Sequence, residues 1–411
     1  MRRIFSIGSA LFLVFLVLLT IQNSSAIPNT MLINKASRQS DDLVIYTYES
    51  LLAWGEEGEA LRTRLFNEFG QKEGITVRPE YFSDVGEMLT RLEVEKDNPQ
   101  ADIAIGIDNS MVYAAKENGI FVPYYPTNFS EISSWLYSNL DSDHFLNPYD
   151  YGLIALVYHK DALNETLLPN PDSFILDDLL NESLARMFIT EDPTTSSSGL
   201  GFLLWTIAVY DKILGKDWAS WWRQIADKIS IKESWGDAWA LWTTEGSGKE
   251  IMVSYGTDPA YDYWYSGETP NIGVLLSHEG GQPNAWLQIE GIGIVSGTTH
   301  QTEAEKFVDW FLSKTIQEYI PENNWMFPAN QYAELSESFQ YAVNHTTVNI
   351  LNDLIPPSEL GQYLSAWLET WLEVIYVPTP GFDAFSVFSI FSFIGVIILM
   401  INRRKKKIDR N

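Results

Sequence analysis

Short apolar runs alternate with amphipathic stretches along the first part of the chain. From Leu43 onward the order is LVIYT, EALRTRLFNEF, ITVRPEY, DVGEMLTRLEVEK, DIAIGI and SMVYAAKENG. The β-branched runs have the length and composition of strands, whereas the longer stretches repeat apolar residues at helical spacing. This alternation predicts strand, helix, strand, helix, strand, helix, which is the order that builds a parallel sheet covered by helices.

A second series of the same kind begins near residue 150. It contains DYGLIALVYH, RMFIT, a long helix that starts near Ser198, and EIMVSY, which ends at Tyr255. Two such series predict an α/β fold with two lobes that face each other across a cleft. The predicted bounds are 43–149 and 272–315 for lobe 1, and 150–271 and 316–376 for lobe 2.

The N-terminal segment has the pattern of a secretory signal peptide. Arg2 and Arg3 precede a long apolar run, and the small residues Ser-Ser-Ala follow at 24–26. Positive charge, an apolar stretch and a small-residue cleavage site in this order predict a signal peptide at residues 1–26. The alternative is an uncleaved anchor, because the apolar run is long for a signal. Residues 27–42 are then expected to be a flexible N-terminal segment.

The C-terminal segment is also apolar. The run at residues 382–401 carries one charge, Asp383, at its edge, and is long enough to cross the ~30 Å hydrocarbon core of a bilayer as a helix. Five consecutive cations follow it, and the positive-inside rule places such a cluster in the cytoplasm. This predicts a stalk at 377–381, a transmembrane anchor at 382–401 and a cytoplasmic tail at 402–411, with the two lobes outside the cell, held at the cell surface. A buried core helix is the alternative.

Composition narrows the class of ligand. The chain has 54 acidic and 27 basic residues, a formal net charge of -27, 15 Trp, 20 Tyr and no cysteine. So acidic a protein is expected to bind neither nucleic acid nor anionic lipid. The lack of cysteine excludes disulfides, a thiol nucleophile and a cysteine metal cluster. Abundant aromatic rings in an acidic chain favour a flat, partly cationic small molecule, held by stacking and cation–π attraction.

Signals of catalysis are missing from the sequence. The five histidines form no HExxH pair, and no G-x-S-x-G segment occurs. The segment from Gly246 to Lys249 lacks the upstream glycine and the following Ser or Thr of a phosphate-binding loop. We therefore predict a binding protein rather than an enzyme, with no catalytic residue, no bound metal and no cofactor.

Several aromatic residues stand at the ends of predicted strands, beside turns. Ligands of open α/β sheets bind at such positions. For each ring alone the alternative is packing in the core, but the shared position at strand ends favours a binding site for the group. These residues are Tyr48 and Trp54 after the first strand, Trp235 after ISIK, Tyr255 and Tyr261 at and after EIMVSY, and Trp325 in a loop between helices.

Polar candidates lie at the starts of predicted helices. Asp84 follows the second strand, so it either caps the next helix or points into the cleft as an acceptor for a ligand amine. In DPTTSSSGLG, Ser196, Ser197 and Gly199 lead into an apolar helix, whose free N–H groups would bind a phosphate or carboxylate. The alternative there is plain capping of the helix by one of the serines.

Five segments of the chain resemble the thiamine-binding periplasmic proteins of ABC importers. They are YTYES, DPTTSSSGLG, SWGDAW, VSYGTDPAY and IPENNWMFP, in this order. The resemblance extends over about residues 42–374. It implies a type II periplasmic-binding-protein fold that closes on its ligand by a hinge, and two partners: a thiamine-class small molecule and the membrane subunits of an ABC permease.

The same resemblance implies roles for individual residues. Aromatic faces would hold the thiazolium cation, Asp84 the aminopyrimidine amine, and Ser196 with the N–H groups of residues 197–199 a phosphate.

The chain departs from the family at Ser198, which replaces a proline, and at Trp239, which replaces a tyrosine. The preference among thiamine, its monophosphate and its diphosphate therefore stays open. Ferric iron or a polyamine on the same scaffold is the alternative. The expected ligand contacts are Tyr48, Trp54, Asp84, Ser196, Trp235, Tyr255, Tyr261 and Trp325.

Overall fold

The computed structural model describes residues 42–163 and 166–376, in which strands and helices alternate as the sequence pattern predicts. The strands are β1 (Asp42–Tyr48), β2 (Thr76–Phe82), β3 (Ile103–Asp108), β4 (Phe121–Val122), β5 (Asn147–His159), β6 (Phe188–Glu191), β7 (Ser230–Lys232), β8 (Ile251–Tyr255), β9 (Ile272–Leu275), β10 (Asn284–Val295), β11 (Phe327–Pro328) and β12 (Asn349–Ile350). The α-helices are α1 (Glu59–Glu73), α2 (Val85–Glu95), α3 (Val112–Glu117), α4 (Ser134–Leu140), α5 (Glu182–Met187), α6 (Ser197–Ile207), α7 (Trp218–Ile225), α8 (Trp235–Trp242), α9 (Asp258–Ser266), α10 (Gln301–Phe311), α11 (Lys314–Gln317), α12 (Ile320–Asn323) and α13 (Pro357–Tyr376).

The strands form one sheet with a mixed pairing pattern. Its main path is β2-β1-β3-β10-β5-β8-β6-β7. Strands β1 and β3 are parallel, and β6 is parallel to both β7 and β8. Strand β10 runs antiparallel to β3 and β5, and β5 runs antiparallel to β8. Two regions with parallel pairs therefore meet at two long antiparallel strands, β5 and β10, in the middle of the sheet.

Strands β5 and β10 pass from one half of the sheet to the other. In β10, residues 290–294 pair with β3, whereas in β5, residues 154–158 pair with β8. Each strand thus hydrogen-bonds to different neighbours along its length and belongs to both halves. The result is two α/β lobes joined by crossing strands, which confirms the two-lobed prediction. Strand β9, expected in lobe 1, pairs with residues 156–159 of β5, on the lobe 2 side.

The core is built from strands with unbroken apolar sequences and from helices that bury one apolar face. Residues Leu43 to Tyr46 in β1 and Ile103 to Ile105 in β3 are completely buried. A strand that is buried on both faces needs an unbroken apolar run, and the sequences LVIY and IAI provide it. Helix α1 adds apolar side chains at helical spacing: Leu61, Leu65, Phe66 and Phe69. The sheet is therefore a rigid platform for the loops at its strand ends.

The described part of the chain contains no counterpart of the membrane helix that the sequence predicts. Within the two described ranges, 42–163 and 166–376, no helix is long and apolar enough to cross a membrane. The 20-residue helix α13 reaches the length, but its three glutamates make it too polar. The predicted span at 382–401 lies outside the described residues, as do the expected signal peptide, stalk and tail. For the residues that the structure describes, the fold class is therefore corrected to a two-lobed α/β fold, in which no membrane helix occurs.

Candidate ligand-binding site

A cavity lies where the two lobes meet. It contains about 720 Å³ of space, its open mouth included. Its wall comes from the end of β1, the start of α2, the N-termini of α6, α8 and α9, the end of β8, the middle of β10 and the loop before β11. Strand ends and helix starts of this kind are where α/β folds bind ligands. Eight of the ten predicted site residues line the cavity: Tyr48, Trp54, Asp84, Ser197, Trp235, Tyr255, Tyr261 and Trp325.

Three indole rings form an aromatic wall across the two lobes. Trp235 and Trp239 lie one turn apart on α8 and stack, with ring centroids 5.2 Å apart and planes 28° apart. Trp54, in the loop after β1, meets both rings edge-on, at 5.2 Å and 5.7 Å. These are favourable geometries for aromatic pairs. The wall therefore holds lobe 1 against lobe 2 on one side of the cavity.

Tyr261 and Trp325 continue the aromatic lining. Their rings meet at right angles with centroids 5.4 Å apart, and Tyr261 also meets Trp239 edge-on at 5.4 Å. Trp325 has a φ of 52°, a left-handed conformation that a bulky residue rarely adopts. Its Nε1 donates to the backbone oxygen of Trp54 at 3.1 Å. The loop before β11 is thus held in a strained conformation in which the indole lines the cavity.

Asp84 caps its own helix and also binds two helices of the opposite lobe. Its Oδ1 accepts from the backbone N–H of Val85 at 2.7 Å and of Ser197 at 3.1 Å, while Oδ2 accepts from that of Trp235 at 3.2 Å. Ser197 and Trp235 are the first residues of α6 and α8, where the helix dipole is positive. Both roles considered for Asp84, capping and facing the cleft, are therefore observed in the same carboxylate.

The backbones of the two lobes also touch beside Asp84. The N–H of Gly86 in α2 donates to the backbone oxygen of Thr195 at 3.0 Å. A Cβ atom at position 86 would lie 2.4 Å from that oxygen, so only glycine permits this approach. The direct backbone contact between the lobes therefore requires glycine at position 86.

Glu290 lines the cavity from the crossing strand β10. Its Oε2 accepts from the hydroxyl of Tyr48 at 2.7 Å and from the hydroxyl of Tyr149. The two hydroxyls are 2.8 Å apart. In the ladder between β10 and β5, the residue opposite Glu290 is Asp150. Phenols and carboxyl groups thus form a buried polar cluster at the point where the strands pass between the lobes.

Burial raises the pKa of the carboxyl groups that line the cavity. The pKa of Asp258 is raised to about 7, that of Glu290 to about 7, and that of Asp84 above its ordinary value, with burial the largest cause in each case. Among the described residues that line the cavity there is no lysine or arginine. A cationic ligand would supply the missing positive charge, so the cavity is electrostatically suited to a cation.

Ser196 and Gly199, which were also predicted to bind the ligand, are not part of the wall. Ser196 is completely buried and caps α6 by accepting from the N–H of Gly199 at 3.4 Å. Its Oγ lies 3.0 Å from that of Ser198. The N–H of Ser197, expected to bind a phosphate, donates to Asp84 instead. Ser196 thus caps its helix and its side chain also bonds to Asp84, so the anion at this helix end is a side chain of the protein.

The wall also contains residues that were not selected from the sequence. Glu290 is recognisable in the sequence, because it is the one charged residue of the strand NAWLQIEGIGIV, and burying a charge is costly. Asp258 is less easily recognised: its only sign in the sequence is that it lies one helical turn before Tyr261. Trp239 stands out in the sequence only because it replaces a tyrosine of the family. No local pattern marks the remaining six, which are Ser50, Ser83, Val85, Gly236, Asn324 and Met326.

Known proteins share both the sequence pattern and the fold. The profile of the family described as bacterial extracellular solute-binding protein matches residues 64–347. The thiamine-binding periplasmic protein of Brucella abortus biovar 1 (strain 9-941) is 30% identical over 339 residues, 82% of this chain and 93% of that protein. A solved periplasmic thiamin binding protein has a TM-score of 0.67 at 25% identity, covering 81% of this chain and 96% of that one. The ferric binding protein from Campylobacter jejuni, with a TM-score of 0.63 and 20% identity over 81% of this chain and 99% of its own, shares the fold alone.

These matches are extensive enough to assign the family. The profile covers more than half of the chain, and the Brucella relative matches over nearly its whole length. Proteins of this family work on the extracellular or periplasmic side of the membrane, bind a solute for an ABC importer and catalyse no reaction, which confirms the prediction of a binding protein. The chain therefore belongs to the bacterial extracellular solute-binding proteins, as a member of the thiamine-binding periplasmic protein family.

Proposed function

We propose that the protein captures thiamine and delivers it to the permease of an ABC importer, without making or breaking a bond. The observation that carries this proposal is the composition of the cavity. Three indole rings stand beside three buried carboxyl groups, and no basic side chain lies among the described residues of the wall. The names of the relatives support the same ligand.

The chemistry of thiamine fits the two kinds of wall residue. Its thiazolium ring is a planar cation, which aromatic faces attract, and Trp54, Trp235 and Trp239 offer such faces. Its aminopyrimidine carries an amine that donates hydrogen bonds. The carboxylate of Asp84 lines the cavity, so it is placed to accept a hydrogen bond from that amine.

We propose further that unphosphorylated thiamine is the preferred species. Each phosphate adds negative charge, and the helix end that could have bound it is already occupied by Asp84. Two like charges about 5 Å apart repel by about 3 kcal/mol at an effective dielectric constant of about 20. Acidic residues lie both in the cavity and at its mouth: Asp84, Asp258 and Glu290 inside, and Glu49, Glu59 and Asp237 outside.

The same observations disfavour the alternative ligands. Within the described ranges no group of three or more His, Cys, Asp or Glu side chains is arranged to hold a metal ion. Tyr255 and a second tyrosine such as Tyr48 would have to bind ferric iron as phenolates, but burial first, and then nearby carboxylates, raise the pKa of both well above the ordinary value. A polyamine would satisfy the carboxyl groups but would leave the indole faces without a planar partner.

Isothermal titration of the purified protein tests the ligand and the preferred species together. We expect one-to-one binding of thiamine, with affinity at least about tenfold lower for the monophosphate and lower again for the diphosphate, because repulsion grows with each phosphate. Added salt should narrow the difference, since charges at the mouth are screened. No heat with thiamine but binding of ferric citrate or spermidine would contradict the function. Equal affinities for the three thiamine species would contradict only the preference.

Replacing Tyr261 with alanine tests the aromatic lining outside the indole wall. The ring touches both Trp239 and Trp325, so its loss should remove a contact with the ligand and loosen two neighbouring rings. We expect thiamine binding to weaken by about 1–2 kcal/mol in the same titration. Tyr363→Ala, at an exposed tyrosine of α13, is the matched control and should bind as the unmodified protein does. Equal affinity in the two variants would remove Tyr261 from the site.

A further inference from the structure

Two carboxyl groups lie opposite each other on the strands that join the lobes. Glu290 in β10 and Asp150 in β5 are partners in the antiparallel ladder, where opposite Cβ atoms are about 5 Å apart. Glu290 is 4% exposed and lines the cavity, whereas Asp150 is completely buried and does not. A ligand that contacts this part of the cavity wall therefore meets Glu290, with Asp150 beside it.

The hydrogen bonds of this pair contain no positive charge. In the part of the chain that the structure describes, every side-chain donor to the pair is a neutral phenol or amide. Oδ1 of Asp150 has no hydrogen-bond partner among these residues. The donors are Tyr48, Tyr149 and Gln288 for Glu290, and Asn324 for Asp150.

The titratable groups packed against Glu290 are acids and phenols. Burial is the largest cause that raises the pKa of Glu290 to about 7; the charges of Asp108 and Asp84 act in the same direction, against the hydrogen bonds from the two phenols. Burial and then Glu290 raise the pKa of Asp150 well above its ordinary value. Two buried carboxyl groups without a cation cannot both be ionised near neutral pH, so the pair retains a proton. The facing groups are Tyr48 of β1, Asp84 before α2, Asp108 of β3, Tyr149 and Asp150 of β5, and Tyr255 of β8.

We propose that Glu290 selects a positively charged ligand by exchanging the proton that it shares with Asp150 for the charge of that ligand. When the cation enters, the O–H bond of the carboxyl pair breaks and the proton leaves to the solvent. The resulting carboxylate then has the ligand as its countercharge. This inference rests on the proposed function, since it concerns the same cavity. It assigns selection for a positively charged ligand to a residue of β10, one of the two strands that join the lobes.

Counting protons during thiamine binding tests the exchange. Titrations in buffers of different ionisation enthalpy measure how many protons each bound ligand releases. We expect nearly one proton per thiamine at about pH 6 and nearly none at about pH 8.5, because the pair has then already lost its proton. The association constant should rise up to about tenfold per pH unit below about pH 7 and level off above it.

Three variants separate Glu290 from the other buried acids. Glu290→Gln keeps the shape of the side chain but cannot ionise, so proton release at about pH 6 should disappear and affinity should fall about tenfold or more. Asp258→Asn removes the other wall acid of similar pKa and should keep the release. Glu279→Gln replaces a buried acid that does not line the cavity and should keep both release and affinity.

The outcomes distinguish this inference from the function on which it rests. Thiamine binding at about pH 6 without proton release would overturn the exchange and leave the proposed function intact. Release that persists in Glu290→Gln, or that is lost in Asp258→Asn, would overturn the assignment to Glu290. Absence of thiamine binding at every pH would instead contradict the proposed function. The pH series on the unmodified protein applies the same test even where Glu290→Gln does not fold.

Discussion

Trp235→Ala is expected to weaken thiamine binding by about 2–4 kcal/mol, or roughly 30- to 1000-fold. The ring of Trp235 stacks on Trp239 and meets the edge of Trp54, so its removal opens the aromatic wall between the lobes. Its Nε1 also donates to Ser254 at 3.0 Å, and the hydroxyl of Ser254 donates to Asp258. The substitution therefore removes an aromatic face for the cation and one hydrogen bond that positions a wall carboxylate.

A second tryptophan provides the control for this substitution. Trp367 is partly buried on α13, pairs with Tyr363 at 5.9 Å and does not line the cavity. Trp367→Ala should keep the affinity within about twofold, while thermal unfolding shows whether each variant is folded. If a folded Trp235→Ala protein binds thiamine as tightly as Trp367→Ala, the aromatic wall is not the place where the cation is held.

The parts of the site that the sequence predicts are those set by local structure. The strand ITVRPEY appears as β2 with Asp84 directly beyond it, α8 begins at Trp235, and β8 ends at Tyr255. Strand length, turn residues and helix caps act over a few neighbouring positions, so a short window of sequence is enough to place these side chains at element ends. Strand ends and helix starts at one edge of the sheet then lie around the same cavity, so no long-range contact has to be predicted to bring these side chains together.

The parts that the sequence does not predict depend on contacts between distant segments. Glu290 and Asp150 become partners only through the register of β5 against β10, which no local pattern fixes. The helix start at Ser196 was compatible with capping or with phosphate binding, and the choice is made by Asp84, which is far away in sequence. An acid from the other lobe thus decides the chemistry of a segment whose own residues allow two functions.

The bonds of Asp84 give closure of the lobes a specific chemical basis. One carboxylate joins α2 of lobe 1 to the positive N-termini of α6 and α8 of lobe 2. The same carboxylate lines the cavity, so the group that draws the lobes together is also available to the ligand. Binding and closure are therefore expected to depend on the same side chain, which gives its removal a larger effect than the loss of any single ring.

Asp84→Ala is expected to weaken thiamine binding by about 3–5 kcal/mol, more than Trp235→Ala does. Three buried backbone N–H groups lose their acceptor, and each unsatisfied buried donor costs about 1–3 kcal/mol, part of which is recovered when the lobes separate and water enters. Asp84→Asn should show a smaller loss, because its amide oxygen still accepts but carries no charge for the helix ends. Titration with thiamine measures the loss of affinity, and the radius of gyration in solution measures the separation of the lobes.

Asp227→Ala, at an exposed acid, is the control and should change neither. A folded Asp84→Ala protein with unchanged affinity and unchanged radius would show that the aromatic wall closes the lobes without the carboxylate.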